Sequence, residues 1–368
     1  MQIRRLTFVG FGLLGASVAA AIKQAQKKIK LRAVSSPSTL KRAKELGLAD
    51  EFYDYEDVDS WVEGSDVILL CGPILHILST IKALSKTKPS HPVLVSDIGS
   101  TKEKICEAGF QLPSPFSFVG GHPMAGSEKR SLEYNDPSIF ENAYWFLCPL
   151  VNMPESTYLP LSELVSFLGG QPVLFTPKEH DSTMAWLSHM PQMISSTLAG
   201  NIPSRILEKE HQHFAGRGFR DMTRIAGSAW NMWHDILFTN KDAIEQALDE
   251  FSKGLKQTQT AIQALFENEE KVHEVFVAGN SGRASLFAPG RNAADHFYEI
   301  TVQLKDKPGA ILSVMQPLAE EGINIRDIEL MKVRENIAGT LLLAFKTEAE
   351  AAKAMKVLRY LEYEVKER

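Results

Sequence analysis

Short, unbroken apolar runs recur through the first part of the chain: Ile3 to Val9, LRAVS at 31–35, DVILLC at 66–71, VLVSDI at 93–98 and YWFLCP at 144–149. Between them the apolar positions fall three or four residues apart, as in Lys41 to Leu48 and Leu75 to Leu84. A Val/Ile/Leu run without alternation is what a strand covered on both faces requires. Strands that take turns with amphipathic helices pair in parallel. Residues 1–172 are therefore expected to form an α/β domain, a Rossmann-like doubly wound parallel sheet.

After Val173 to Thr176 the pattern becomes helical, through His180 to Leu198, Ile206 to His213, Asn240 to Phe266 and Glu269 to Val275. Residues 173–278 thus predict an all-helical domain. The stretch 279–295, rich in Gly, Ala, Ser and Asn and without periodicity, reads as a linker. From His296 the order is strand YEITVQL, turn DKPG, helix Ala310 to Glu321, strand INIRDIELMKV, a turn near Glu335 to Ala338, strand GTLLLAF, helix Glu348 to Arg359 and strand LEYEV. That βαββαβ order predicts a small α+β ferredoxin-like unit over 296–368.

Composition narrows the class of partner. The chain has 368 residues, 44% hydrophobic and 23% charged, with a formal net charge of −5 and no basic stripe. Nucleic acid is not implied, and a small-molecule enzyme fits better. Cys71, Cys106 and Cys148 are far apart with no CxxC pair, which argues against a disulfide framework or a metal site and for a reducing, cytoplasmic setting. The N-terminal MQIRRLTFVGFGLLG has the charge and apolar run of a signal peptide, but three glycines break it and strand-helix periodicity follows at once, so the domain reading is preferred. No apolar run reaches the roughly 18 residues of a membrane span.

The chemistry begins at TFVGFGLLGASVAAAI, residues 7–22. Gly10, Phe11, Gly12, Leu13, Leu14 and Gly15 follow a strand and open a helix, the context in which G-x-G-x-x-G binds a dinucleotide. The first glycine makes the turn, Gly12 admits a pyrophosphate, and Gly15 lets helix and strand pack closely. The acidic residue that would hold a ribose 2′-hydroxyl is missing. Ser35 and Ser36 stand at the second strand's end, with Lys41 and Arg42 soon after, so NAD and NADP both stay open. In FVGGHPMAGSEK, 118–129, His122 follows paired glycines at a strand end, where open α/β sheets bind ligands. Its imidazole is a candidate proton acceptor near neutral pH, or a structural loop histidine. Ser100, in SDIGSTK, is placed to hydrogen-bond that ring and set its tautomer.

VGFGLLGAS, SDIGSTK, GGHPMAGSEK, EHDSTMAWLSHMPQ and GFRDMTRIAGSAWNMW, in this order and spacing, closely resemble the prephenate/arogenate dehydrogenase family of tyrosine biosynthesis. The tail, with DKPGAI and EEGINIRDIEL, looks like an ACT domain. The resemblance implies oxidative decarboxylation of prephenate to 4-hydroxyphenylpyruvate with a nicotinamide as hydride acceptor. It makes His122 the catalytic histidine, Ser100 its orienting serine and Arg224 the substrate-binding arginine, with Asp221 nearby to balance it.

Ser127, Glu128, His189 and Trp233 match further positions of the family's substrate site. Gln192 stands where some members carry a histidine, which leaves prephenate and arogenate, or dual specificity, open. His180-Asp181, at the start of the long helix, reads equally as a charged first turn or as a functional pair. The resemblance also implies a homodimer through the helical domain. An amino-acid effector, L-tyrosine, is expected at Asn324 and Ile325, with a structural or dimerising module as the alternative. The other readings are a 3-hydroxyacid or imine-reducing dehydrogenase, which would lack GGHPMAGSEK, and a nucleotide-sensing regulator without turnover.

Overall fold

The computed structural model describes residues 3–126, 131–209, 211–287, 298–304, 307–331 and 339–367. The chain divides into two compact units, Met1–Lys256 and Gln257–Arg368.

The first unit is built on an eight-stranded sheet of β1 (Arg5–Val9), β2 (Lys30–Val34), β3 (Glu51–Tyr53), β4 (Val67–Leu70), β5 (Val93–Asp97), β6 (Phe116–Pro123), β7 (Tyr144–Pro149) and β8 (Gln171–Leu174), in the order β3-β2-β1-β4-β5-β6-β7-β8. Its helices are α1 (Leu13–Gln24), α2 (Pro37–Glu45), α3 (Val58–Val62), α4 (Ile74–Leu84), α5 (Glu103–Gly109) and α6 (Glu155–Phe167). Two apolar layers sandwich the sheet. One gathers Phe8, Ala16, Ile22, Trp145 and Leu161, and the other Val9, Trp61, Ile77, Val95 and Ile105. This double cover is why the strands read as continuous apolar runs. Strand order reverses at β1, between β2 and β4, which opens the crevice where such sheets receive ligands.

The sheet departs from the expected all-parallel pairing at one place. β6 pairs parallel with β5 from Phe116 to Val119, then antiparallel with β7 from Val119 to Pro123. A parallel pair needs a crossover that returns the chain to the opposite edge. Between β6 and β7 the described residues contain only a short 3₁₀ turn, Leu132–Tyr134, so the chain comes straight back. β3 was not read from the sequence because EFY is half-buried and sits between acidic residues.

The helical part continues with α7 (Pro177–Met184), a π-helical turn at Ala185–His189, α8 (Met190–Gly200), α9 (Ser204–Glu208), α10 (Arg217–Thr223), α11 (Trp230–Thr239) and α12 (Lys241–Gln263). Thr176 opens α7 with a capping box: its Oγ1 accepts the Glu179 N–H at 3.2 Å, and Glu179 Oε2 accepts the Thr176 N–H at 3.1 Å. The single helix expected over His180 to Leu198 is thus an α-π-α path. Pro191, at the start of α8, lacks an N–H, and its ring would crowd an ordinary α turn; the wider turn just before it accommodates both.

In the second unit α13 (Glu270–Phe287) precedes β9 (Tyr298–Leu304), α14 (Ala310–Glu320), β10 (Asp327–Met331), β11 (Gly339–Phe345), α15 (Glu348–Tyr360) and β12 (Val365–Glu367). The four strands are antiparallel in the order β10-β11-β9-β12. Ile300, Val302, Val314, Leu318, Leu343, Phe345 and Leu358 form their core. Helix α13 covers residues 279–287 of the expected linker. Ala, Ser and Arg do not oppose a helix. The rest of that stretch and the turn near Glu335 lie outside the described residues.

Candidate active site

The glycine turn leaves β1 at the carboxyl edge of the sheet. Gly10 has φ +87°, and a Cβ there would lie 2.7 Å from the Gly72 backbone nitrogen, so only glycine fits. The turn is held by N–H donation from Gly10 to the Val34 carbonyl and from Gly12 to the Gly10 carbonyl, each at 2.9 Å. Gly12 caps α1 without a side-chain oxygen, and no acidic residue occupies the first helical turn. The N–H groups of Leu13, Leu14 and Gly15 are thus left for an anion, as a pyrophosphate requires. Phe11 and Leu13 are buried, and Phe11 packs edge-on against Phe8; their side chains serve the core. At Gly15 an added Cβ would sit 3.2 Å from Cys71 Sγ, which fixes how closely α1 meets β4.

At the end of β2, Ser35 is buried, its N–H donating to the Tyr53 carbonyl at 3.3 Å and its Oγ lying 3.4 Å from the Tyr55 hydroxyl. Ser36 caps α2, with its Oγ 3.0 Å from Thr39 Oγ1. Lys41 is exposed, and Arg42 is engaged by Glu45 and Glu133, each at 2.9 Å. The arginine considered for a 2′-phosphate is therefore already paired.

His122 lies inside β6, not on a loop after it. The two glycines before it have a steric cause: a Cβ at Gly121 would collide with the Asp97 backbone carbonyl. Asp97 anchors this corner. Fully buried, it accepts the Gly99 N–H at 2.7 Å and the Gly121 N–H at 3.0 Å and forms an ion pair with the equally buried Lys102.

The partner of the imidazole differs from the sequence expectation. His122 Nδ1 lies 2.8 Å from His180 Nε2, and His180 Nδ1 lies 2.8 Å from Asp181 Oδ1. Asp181 Oδ1 and Oδ2 accept the backbone N–H groups of Lys102 and Glu103 at 2.6 and 2.8 Å. Ser100 is half-buried close by in sequence, yet among the described residues no hydrogen bond joins it to His122. His180, carried by α7, occupies Nδ1 of the ring. Burial, reinforced by the neighbouring His180, holds the His122 pKa well below the ordinary imidazole value, so the ring is neutral at physiological pH.

Asn240 ties the next histidine in. Its Nδ2 donates to the Asp181 carbonyl at 2.9 Å and lies 3.1 Å from His189 Nδ1. Burial lowers His189 to about 4. Its ring meets Trp233 edge-on at 5.9 Å, and the buried Trp233 N–H has no partner among the described residues. Gln192 is buried and reaches the arginine turn from α8: its Nε2 donates to the Ile225 carbonyl at 2.9 Å, and its Oε1 accepts from the Ser228 hydroxyl at 3.2 Å. Arg224 opens that turn and is exposed; among the described residues its guanidinium has no ion pair, and Asp221, one turn earlier, does not bind it. Ser127 and Glu128 lie outside the described residues.

Residues 18–174 match the model of the prephenate dehydrogenase nucleotide-binding domain and residues 176–278 that of the prephenate dehydrogenase dimerization domain. The prephenate dehydrogenase of Bacillus subtilis (strain 168) is 32% identical over 352 residues, 95% of this chain and 94% of that protein. The chain belongs to the prephenate dehydrogenase family. Two solved structures agree with that membership. Synechocystis arogenate dehydrogenase superposes with a TM-score of 0.66 at 31% identity, over 77% of this chain and 99% of its own. Prephenate dehydrogenase from A. aeolicus, in complex with hydroxyphenyl propionate and NAD+, gives a TM-score of 0.67 at 26% identity, over 78% and 99%. Within this family fold, Asp97, Lys102 and Asn240 support the site and were not singled out as functional from sequence. The acid and base five residues apart in SDIGSTK were visible there, but not the turn that folds one onto the other.

Proposed function

We propose that this protein is an NAD(P)-dependent prephenate dehydrogenase, converting prephenate to 4-hydroxyphenylpyruvate and carbon dioxide. One observation carries the reading: a neutral imidazole on β6 shares an edge of the sheet with the glycine turn. β1, β4, β5 and the first half of β6 run parallel, so Gly10 to Gly15 and His122 emerge on the same side.

A nicotinamide bound at the glycine turn supplies the hydride acceptor. His122 takes the hydrogen bond, and then the proton, of the ring hydroxyl as the C–H bond breaks, an effect worth about 10² to 10⁴ in rate. When the carboxyl group leaves as carbon dioxide its bonding electrons enter the ring, and His122 returns the proton to the phenolate oxygen. No net proton is consumed. Arg224 binds a substrate carboxylate, which a planar guanidinium does in bidentate fashion. Gln192 holds the turn from which Arg224 projects.

Arogenate or dual specificity is the second reading, favoured by Gln192 being committed to Ile225 and Ser228, which leaves the side-chain carboxylate's partner to other groups. The βαββαβ unit is read as an ACT module binding L-tyrosine at Asn324 and Ile325, in the turn after α14 where Gly322 adopts φ +68°. A homodimer through the helical region is supported by exposed Leu187, Phe214, Trp230 and Phe238. Among the described residues no helix is long and apolar enough to cross a membrane.

A steady-state matrix of prephenate and arogenate against NAD and NADP, with and without tyrosine, tests the reading. Turnover of prephenate is expected, and failure with both substrates refutes it. Asn324→Ala in the full chain is expected to relieve tyrosine inhibition and leave uninhibited turnover unchanged.

A further inference from the structure

Resting on the dehydrogenase reading, we infer that His180 and Asp181 form a positioning relay that holds His122 in the Nδ1–H tautomer, with its Nε2 lone pair directed to the substrate hydroxyl. The reasoning starts at Asp181. Both carboxylate oxygens already accept backbone N–H groups, from Lys102 at 2.6 Å and Glu103 at 2.8 Å, and backbone amides only donate. Toward His180 Nδ1, 2.8 Å away, the carboxylate is therefore an acceptor, so that nitrogen carries the hydrogen. His180 Nε2 then holds a lone pair facing His122 Nδ1 at 2.8 Å, and only an N–H on His122 satisfies it. The reverse tautomer of His122 would set two lone pairs against each other in a buried space, losing a hydrogen bond across a 2.8 Å gap too narrow for a bridging water. One acceptor-only group thus orients two rings in series.

The frame around the pair is firm. The capping box of Thr176 and Glu179 starts the helix, and Asn240 holds the Asp181 carbonyl at 2.9 Å. During reaction the substrate O–H bond breaks and its proton moves to His122 Nε2, while the electron pair of the C–H bond leaves as hydride to the nicotinamide. The imidazolium so formed keeps its Nδ1–H on the His180 lone pair, with the Asp181 charge one ring further on. When carbon dioxide departs, the proton returns to the phenolate oxygen. His180 and Asp181 end each step with the protons they began with, so they position and stabilise without touching substrate. A third group that orients the base in this way is the logic of hydrolase triads, here extended by one ring.

The test combines a spectroscopic and a kinetic measurement on the full-length protein. In wild type labelled with ¹⁵N-histidine, the His122 ring, assigned by its loss in His122→Asn, is expected in the Nδ1–H form near neutral pH. His180→Phe keeps a ring in the space but removes the acceptor. It is expected to lower kcat by about ten- to a hundredfold, with KM for prephenate and Kd for the cofactor within about twofold. His180→Gln returns an acceptor oxygen and is expected to recover most of the rate. A wild-type His122 in the Nε2–H form, or His180→Phe with wild-type kcat, overturns the relay. If His180→Phe does not fold, the wild-type tautomer decides. A wild type with the expected tautomer but no turnover of prephenate or arogenate counts against the dehydrogenase reading and leaves the ring orientation standing.

Discussion

Replacing Asp97 with alanine probes the foundation of the site. The carboxylate is fully buried and receives three donors, the Lys102 ammonium and the N–H groups of Gly99 and Gly121, so truncation strands all three. A buried charge stripped of its partner costs about 3–5 kcal/mol. Each orphaned backbone N–H adds about 1–3 kcal/mol. The low ends together come to about 5 kcal/mol, at the lower bound of the whole stability of a typical domain. For a cooperative unit of roughly 250 residues, 1 kcal/mol moves the melting temperature by about 2–4 °C, so a drop of about 10 °C or more is expected. The loss reflects unpaired donors, not a large net value of the pair itself: burial raises the Asp97 pKa, while Lys102 and the two amides work against that rise. Asp97→Asn combined with Lys102→Met removes the stranded charge and keeps an amide acceptor, and is expected to recover more than half of the loss. Thermal melts followed by circular dichroism give the answer. A single variant melting within about 3 °C of wild type, or a double variant no better than the single, would refute the reasoning.

His122→Asn is expected to lower kcat by about 10² to 10⁴ while cofactor binding, read by fluorescence, is kept. Because the His122 pKa is held well below the ordinary imidazole value, kcat/KM of the wild type should be flat through neutral pH and fall only at more acidic pH; a midpoint at or above the ordinary value contradicts the burial argument. His189, at about 4 in the folded state, binds its proton more weakly than in the unfolded chain. Its contribution to stability is therefore fully present above the ordinary imidazole pKa and is lost as pH falls toward about 4, a change of about 3 kcal/mol when complete. Urea midpoints across that window should slope less steeply in His189→Gln, and equal slopes would count against it. Gly10→Ala combines a left-handed φ with a Cβ 2.7 Å from Gly72, and is expected to weaken NAD(P) binding by at least about tenfold in titration calorimetry.

The glycine turn and the strands β1, β2, β4 and β5 were legible because each depends on a few neighbouring residues: an apolar run, a spacing, a helix that follows. The same locality explains the errors. The reversal between β6 and β7 depends on what a connection omits, and the half-buried β3 carries no apolar run to announce it. The short helix-compatible residues of 279–287 resemble a linker in composition and extend α13 in the structure. Whether Arg42 is open to a 2′-phosphate could not be decided from the sequence, because Glu133, 91 positions away, could not be seen as its partner.

Local order along the chain determined the βα alternation, the glycine turn, the place of His122 after paired glycines near a strand end and the βαββαβ tail. Those properties follow from backbone sterics and hydrophobic period, which act over a few residues. Tertiary structure alone decided which nitrogen of His122 is free, since that depends on His180, 58 positions further along, and on backbone amides at the start of α5 that hold Asp181. Hydrogen bonds are satisfied in space, over 2.6 to 3.1 Å across this network, and no spacing in a linear sequence encodes which distant group will arrive there.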